Sequence, residues 1–113
     1  MTYFSLSEAR SLLPEIKSIT KRYHDQVEKL QIEMTTVSQE NAPTVHNKIE
    51  CLLKGWVIEV LQLGVEVKGI WLVDFDSGDG YYYCWKYNED DIKYFHRYET
   101  GLAGRRPIEL LEN

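Results

Sequence analysis

The sequence predicts an α+β protein in which an antiparallel two-helix hairpin packs on a three- to four-stranded antiparallel β-meander. Two observations carry this prediction. Apolar residues recur at steps of three and four through the first half of the chain, as on one face of a helix, and from Val65 the period changes to two, as in a strand. At 113 residues the chain has the length of one domain, so residues 1–113 are expected to form a single unit.

The first helix is expected over residues 5–34. Ser5 and Glu8 have the spacing of a capping box, in which each side chain accepts a hydrogen bond from the other residue's backbone amide. Pro14 interrupts the apolar stripe, and a proline inside a helix costs about 3 kcal/mol, so we expect a kink there or a short helical turn before it.

The second helix is expected over residues 43–63, after a polar loop. Pro43 suits its first turn, and Gly64 suits a left-handed cap at its end. Because the loop between the helices is short, the helices should pack antiparallel, with Gly55 allowing close approach.

Residues 65–98 alternate apolar and polar side chains between two turns, and residues 99–113 follow as a loop and tail. The turn lengths predict a register that pairs Val73 with Tyr83 and Tyr83 with His96. His96 then faces the helices, whereas Asp74 and Cys84 lie on the opposite face. A slip of one residue in a turn would exchange the faces.

The net charge of −5 and the pI near 5.2 disfavour general binding to nucleic acid, because an acidic chain repels phosphate. No continuous apolar stretch is long enough to cross a membrane, and residues 1–15 show no secretory signal pattern. Cys51 and Cys84 lack the spacing of a disulfide framework or zinc motif, so free thiols in the cytoplasm are expected.

A set of short motifs is spread over nearly the whole chain: Phe4, Glu8-Ala9, Leu12-Leu13-Pro14, Leu63-Gly64-Val65, Lys68, Leu72-Val73-Asp74-Phe75, Cys84-Trp85, Glu89, Phe95-His96, Gly101 and Gly104-Arg105-Arg106-Pro107. In these residues the chain resembles the DUF2203 family of uncharacterised bacterial proteins. The resemblance implies a fold but no activity.

Arg105 and Arg106 follow a glycine-bracketed loop and are candidates to bind a small anionic ligand, because guanidinium groups bind carboxylate and phosphate with paired donors. The alternative, which we favour, is a surface loop whose arginines pair with Glu99, with Asp74 or with a partner chain.

His96 is the candidate acid–base residue, with Glu89 or Asp74 to orient it. No metal site is predicted, because the expected register separates His96 from Cys84. A core histidine bonded to a tyrosine and a cysteine that only fills space are the alternatives. Trp85 belongs to an aromatic wall that would stack on a flat ligand or be buried, and no cofactor is expected.

Together these features favour a non-enzymatic binding or scaffold protein that forms a homodimer through the first helix. The alternative is a small-metabolite binder or enzyme, in which Arg105 and Arg106 hold an anionic group and His96 shuttles a proton, oriented by Glu89 or Asp74. The sequence leaves open whether the protein is an enzyme.

Overall fold

The computed structural model describes residues 2–112; Met1 and Asn113, the ends of the predicted domain, lie outside the described residues. Two helices precede an antiparallel sheet, as the sequence predicts, but the sheet has five strands rather than three or four within the described range. The elements are α1 Leu6–Met34, α2 Ala42–Gln62, β1 Glu66–Gly69, β2 Leu72–Asp76, β3 Tyr81–Lys86, β4 Tyr94–Arg97 and β5 Arg106–Pro107, with 3-10 turns at Leu102–Gly104 and Ile108–Glu112.

The start of α1 is fixed by the capping box. The Ser5 hydroxyl accepts from the Glu8 amide at 3.1 Å, and the Glu8 carboxylate accepts from the Ser5 amide at 2.9 Å. The helix does not end at Pro14 but continues to Met34. Its apolar stripe packs against α2 and the sheet, and this packing offsets the hydrogen bond that the proline removes.

The two helices approach closely at Gly55, as its position predicts. A methyl group at Gly55 would lie 3.1 Å from the Tyr23 ring, so only glycine leaves room for that ring at its present position. The Tyr23 hydroxyl donates to Glu59, which also accepts from Arg22. A side-chain cluster therefore joins the two helices beside the glycine.

The sheet runs in sequence order from β1 to β5, and each strand is antiparallel to the next. The strand absent from the prediction is β5, which is only two residues long and pairs with β4 at the edge of the sheet. Pro107 is compatible with that position because an edge strand needs fewer amide donors.

The predicted register is wrong in both hairpins. Between β2 and β3, Val73 pairs with Trp85 rather than with Tyr83, because the turn is shorter and closes with the Ser77 amide donating to the Tyr81 carbonyl. This shift of two residues leaves the faces unchanged. Between β3 and β4, Tyr83 pairs with Phe95 rather than with His96.

The shift of one residue in the second hairpin exchanges the faces of β4. Phe95, only 8% exposed, now lies with Tyr83 on the face toward the helices, and His96 lies opposite. The core fills the space between the helices and that face of the sheet. It contains Ala9, Leu13, Ile16, Ile19, Trp56, Val60, Val65, Val73, Phe75, Tyr83, Trp85, Ile92, Phe95 and Ile108.

The molecule is elongated, with principal extents of 56 × 25 × 23 Å. A helix as long as α1 spans about 43 Å at 1.5 Å per residue, so the long axis reflects the helical hairpin. Neither this helix nor α2, the two long helices of residues 2–112, is apolar enough to cross a bilayer.

Candidate functional site

The sheet face that turns away from the helices contains a pocket of about 250 Å³. Its floor is formed by side chains from β2, β3 and β4, and its rim includes the segment that follows β4. The lining residues are Lys68, Leu72, Asp74, Tyr82, Cys84, His96, Tyr98, Thr100, Gly101 and Leu102.

Asp74 and His96 form a buried pair at the floor of the pocket. Their side chains are 0% and 5% exposed, and His96 Nε2 lies 2.7 Å from Asp74 Oδ2. The other ring nitrogen, Nδ1, lies 2.9 Å from the Arg97 carbonyl oxygen. A carbonyl only accepts, so Nδ1 carries a proton, and one further proton is shared between Nε2 and the Asp74 carboxyl group.

The second carboxyl oxygen of Asp74 has no hydrogen-bond partner among the described residues, although it is fully buried. Burial raises the pKa of Asp74 above its usual value, and the charge of His96 only partly opposes this rise. An unpaired buried carboxyl oxygen is costly, because it has lost its water without gaining a donor. Asp74 Oδ1 is therefore a vacant acceptor in the pocket floor.

Cys84 lies directly opposite Asp74 in the β2–β3 pairing and is also fully buried. Burial, with a smaller contribution from the Asp74 charge, raises the pKa of the Cys84 thiol to about 12. The nearby Arg105 guanidinium acts in the opposite direction. The thiol sulfur, an Asp74 oxygen and a His96 nitrogen all lie within 4.8 Å of one another.

Lys68 places a positive charge at the side of the pocket. Its ammonium group lies 3.0 Å from Glu66 Oε1 and 4.6 Å from the centre of the Tyr82 ring. The side chain is 37% exposed and is one of those that line the pocket.

Arg105 and Glu89 form a separate, partly buried ion pair. Two guanidinium nitrogens of Arg105 donate to the two carboxylate oxygens of Glu89 at 2.9 and 2.6 Å. Arg105 also donates to the Cys84 carbonyl at 3.4 Å and lies 4.2 Å from the centre of the Tyr94 ring. Glu89 in turn accepts from the Lys86 amide at 2.8 Å. This ion pair therefore ties the β3–β4 loop to the segment before β5.

Of the six site residues predicted from the sequence, the structure brings Asp74 and His96 together in the pocket. Glu89 and Arg105 pair with each other outside the pocket lining, and Arg106 is exposed on the edge strand. Trp85 is only 1% exposed, packs in the core toward the helices and donates from Nε1 to the Glu89 carbonyl. The predicted convergence of both arginines on His96 is not seen.

Lys68, Tyr82 and Cys84 are among the lining residues that had no place in the predicted site. Cys84 was interpreted as a filler of space because the expected register placed it opposite Phe95, and a shared metal was rejected because His96 was expected on the other face. Alternation along β2 and β3 does predict Asp74 and Cys84 on one face. Their shared face was the available indication of a polar cluster, whereas their direct pairing appears only in the observed register.

The fold and site together define a small α+β protein with a polar, partly enclosed pocket on the sheet face that the helices leave open. The chain belongs to the DUF2203 family, described as "Uncharacterized conserved protein", whose family model matches residues 2–108. No curated protein and no solved structure gives a significant match.

Proposed function

We propose that the protein is a non-enzymatic binding protein for a small polar ligand, which it holds in the pocket above Asp74 and His96. The observation that carries the proposal is Asp74 Oδ1, a buried acceptor without a hydrogen-bond partner in the lining of a partly enclosed pocket. A ligand that offers a donor or a positive charge to this oxygen would remove the cost of its burial.

Binding without turnover is favoured because both ring nitrogens of His96 are engaged, by Asp74 and by the Arg97 carbonyl. A histidine that shuttles protons needs one nitrogen free to reach the reacting group. The pocket offers Lys68 rather than Arg105 or Arg106 for an anionic group on the ligand. In this proposal a single lysine has the role that the sequence-based alternative gave to two arginines.

The proposal is tested by a thermal-shift screen of small amines, carboxylates and phosphates. A ligand at 100 times its Kd adds about 2.7 kcal/mol to the free energy of unfolding. A pocket-blocking variant, Gly101→Trp, should lose this response, because Gly101 lines the pocket and a side chain there meets open space. Gln39→Trp, an equal change in the exposed loop between the helices, is the control.

The proposal is supported if a compound stabilises the wild type and Gln39→Trp but not Gly101→Trp. A screen in which no compound stabilises the protein would contradict it. So would a compound that stabilises both tryptophan variants equally, because it would bind elsewhere.

We also propose self-association through the first helix, with a second copy of the chain as the partner. In support, Ile32 on α1 is 63% exposed. A groove of about 550 Å³ also opens between the helices, beside Leu30, Cys51 and Leu52. Apolar surface of this kind favours association. Sedimentation at micromolar concentration should show a dimer that Ile32→Glu weakens; a strict monomer would contradict this proposal.

A cytoplasmic location is part of the same proposal. It is supported by two free cysteines, one of them exposed, since free thiols persist in a reducing compartment. A fractionation that recovers the protein outside the cytoplasm would exclude it.

A further inference from the structure

The pocket floor presents three different metal-ligating atoms on three adjacent strands. Asp74 in β2, Cys84 in β3 and His96 in β4 offer an oxygen, a sulfur and a nitrogen within 4.8 Å of one another. A tetrahedral zinc ion, with bonds of about 2.0 to 2.3 Å, holds its ligand atoms about 3.3 to 3.8 Å apart. Small side-chain rotations, with the strands fixed in place, would bring the three ligand atoms from within 4.8 Å to the distances that zinc requires.

The surroundings of the three ligands match those of a metal site. Histidine ligands usually donate their second ring N–H to a carbonyl or carboxylate, which fixes the ring and directs the other nitrogen at the metal. His96 Nδ1 is held in this way by the Arg97 carbonyl, so Nε2 points toward Asp74. Burial raises the pKa of the Cys84 thiol, and the nearby Arg105 guanidinium opposes part of this rise.

The vacant Asp74 oxygen is the independent observation that points to a ligand. The carboxyl group is 0% exposed, yet Oδ1 accepts no hydrogen bond of good geometry within residues 2–112, although the Cys84 thiol lies beside the carboxyl group. A cation bound between the three side chains would satisfy this oxygen directly. Its charge would be balanced by the Asp74 carboxylate and the Cys84 thiolate, which makes the buried site neutral overall.

We propose that Asp74, Cys84 and His96 bind a Zn²⁺ ion. A mixed oxygen, sulfur and nitrogen set suits zinc, and three protein ligands leave a fourth position open toward the pocket. As the ion enters, the proton shared by Asp74 and His96 and the proton of the Cys84 thiol leave to solvent. The Lys68 ammonium group, paired with Glu66, stays at the side of the pocket and opposes the cation.

A second group of possible ligands does not qualify. His24, Asp25 and Glu28 lie close together on α1, but the two carboxylates are largely exposed. Asp25 is already paired with Lys21 at 2.8 Å. Exposed carboxylates of this kind remain hydrated and need no cation.

The zinc inference goes beyond the proposed function, since it requires no organic ligand; with the ion bound to Asp74, a ligand in the pocket would meet the open fourth position of the metal rather than Oδ1. It is tested by titrating chelator-treated protein with Co²⁺, a spectroscopic substitute for zinc, and then with Zn²⁺. The wild type should bind a single Co²⁺ per chain with a near-ultraviolet thiolate-to-cobalt band, and Zn²⁺ should displace it. Cys51→Ser, a change at the exposed cysteine, should leave the band intact.

Cys84→Ser should abolish the band and weaken binding by at least about 100-fold, beyond the usual effect of losing an outer-shell partner. Asp74→Asn and His96→Gln should weaken Co²⁺ binding but keep the band. If Cys84→Ser does not fold, weaker binding by these two variants is the result that supports the zinc site. The absence of saturable Co²⁺ binding by the wild type would overturn the inference. So would a band that survives in Cys84→Ser or disappears in Cys51→Ser.

Failure of this inference is distinct from failure of the proposed function. If Co²⁺ does not bind but a compound still stabilises the wild type and not Gly101→Trp, only the metal site is wrong. If Co²⁺ binds as described and no compound responds, only the organic ligand is wrong.

Discussion

Arg105→Met should lower the free energy of unfolding by about 3 kcal/mol. The substitution leaves the Glu89 carboxylate, 22% exposed, without its bidentate partner. Breaking a fully buried pair costs about 3–5 kcal/mol; partial access to water reduces this to about 2 kcal/mol. Loss of the cation–π contact with Tyr94, at 4.2 Å, adds about 1 kcal/mol.

Urea unfolding followed by circular dichroism measures this change. With a slope of about 2 kcal/mol per molar urea, the midpoint should fall by about 1.5 M. Arg106→Met is the matched control, because Arg106 is the next residue, carries the same charge and is exposed; it should change stability by less than about 0.5 kcal/mol.

A double-mutant cycle with Glu89→Gln isolates the pair. Once either partner is gone, the second substitution should cost less than it does alone, with a coupling of about 1 kcal/mol or more. Equal effects of Arg105→Met and Arg106→Met, or strict additivity with Glu89→Gln, would refute the structural role assigned to Arg105.

Three further predictions concern buried groups. Thr20→Val should lower the free energy of unfolding by about 1 kcal/mol more than Thr20→Ser, as measured by urea unfolding, because the buried Trp56 Nε1 then loses its 2.9 Å hydrogen bond to the threonine hydroxyl. Equal decreases in the two variants would argue against that hydrogen bond. In native metal-free protein, an aromatic disulfide reagent should titrate Cys51 at once and Cys84 only on unfolding, since Cys84 is buried and its pKa is raised to about 12; two fast thiols would contradict this. Burial raises the pKa of Tyr83 to about 12, so the stability that its neutral phenol contributes is complete below about pH 10 and is lost as the pH rises toward 12. Tyr83→Phe should therefore reduce the loss of stability at alkaline pH. An unchanged dependence of stability on pH in this variant would contradict the prediction.

The helices could be predicted because local sequence specifies them. The Ser5–Glu8 capping box and the spacing of apolar residues act within a few residues, and both appear in the structure. Pro14 does not separate a short helical turn from α1, because tertiary packing along the helix compensates for a missing hydrogen bond. Such packing cannot be judged from the local pattern alone.

The register of β4 could not be predicted because contacts far apart in sequence determine it. The loop after Lys86 turns Ile92 into the core, where it is 0% exposed. Arg105, from beyond β4, holds Glu89 within the same loop. The predicted register was based on a four-residue turn and took neither contact into account. It therefore paired His96 with Tyr83, one position from its observed partner Tyr82.

The candidate site was therefore found only in part. Asp74 and His96 were chosen for their chemistry, and both line the pocket. Cys84 was not grouped with His96 because of the register error. Arg105 was a candidate ligand-binding residue, and the favoured alternative, pairing with a carboxylate, did not name Glu89, which is distant in sequence. Chemically versatile residues can be chosen from sequence, but their grouping requires the correct strand pairing.

The pairing of β3 with β4 underlies the pocket, the Asp74–His96 pair and the zinc site, and nuclear Overhauser contacts between α-protons test it directly. The Tyr98 amide donates to the Gly80 carbonyl, so the alternation of an antiparallel ladder makes Tyr83 and Phe95 a pair without mutual hydrogen bonds. The structure predicts a strong contact between the α-protons of Tyr83 and Phe95. A contact between Tyr83 and His96 in its place would return His96 to the helix-facing side and contradict the account.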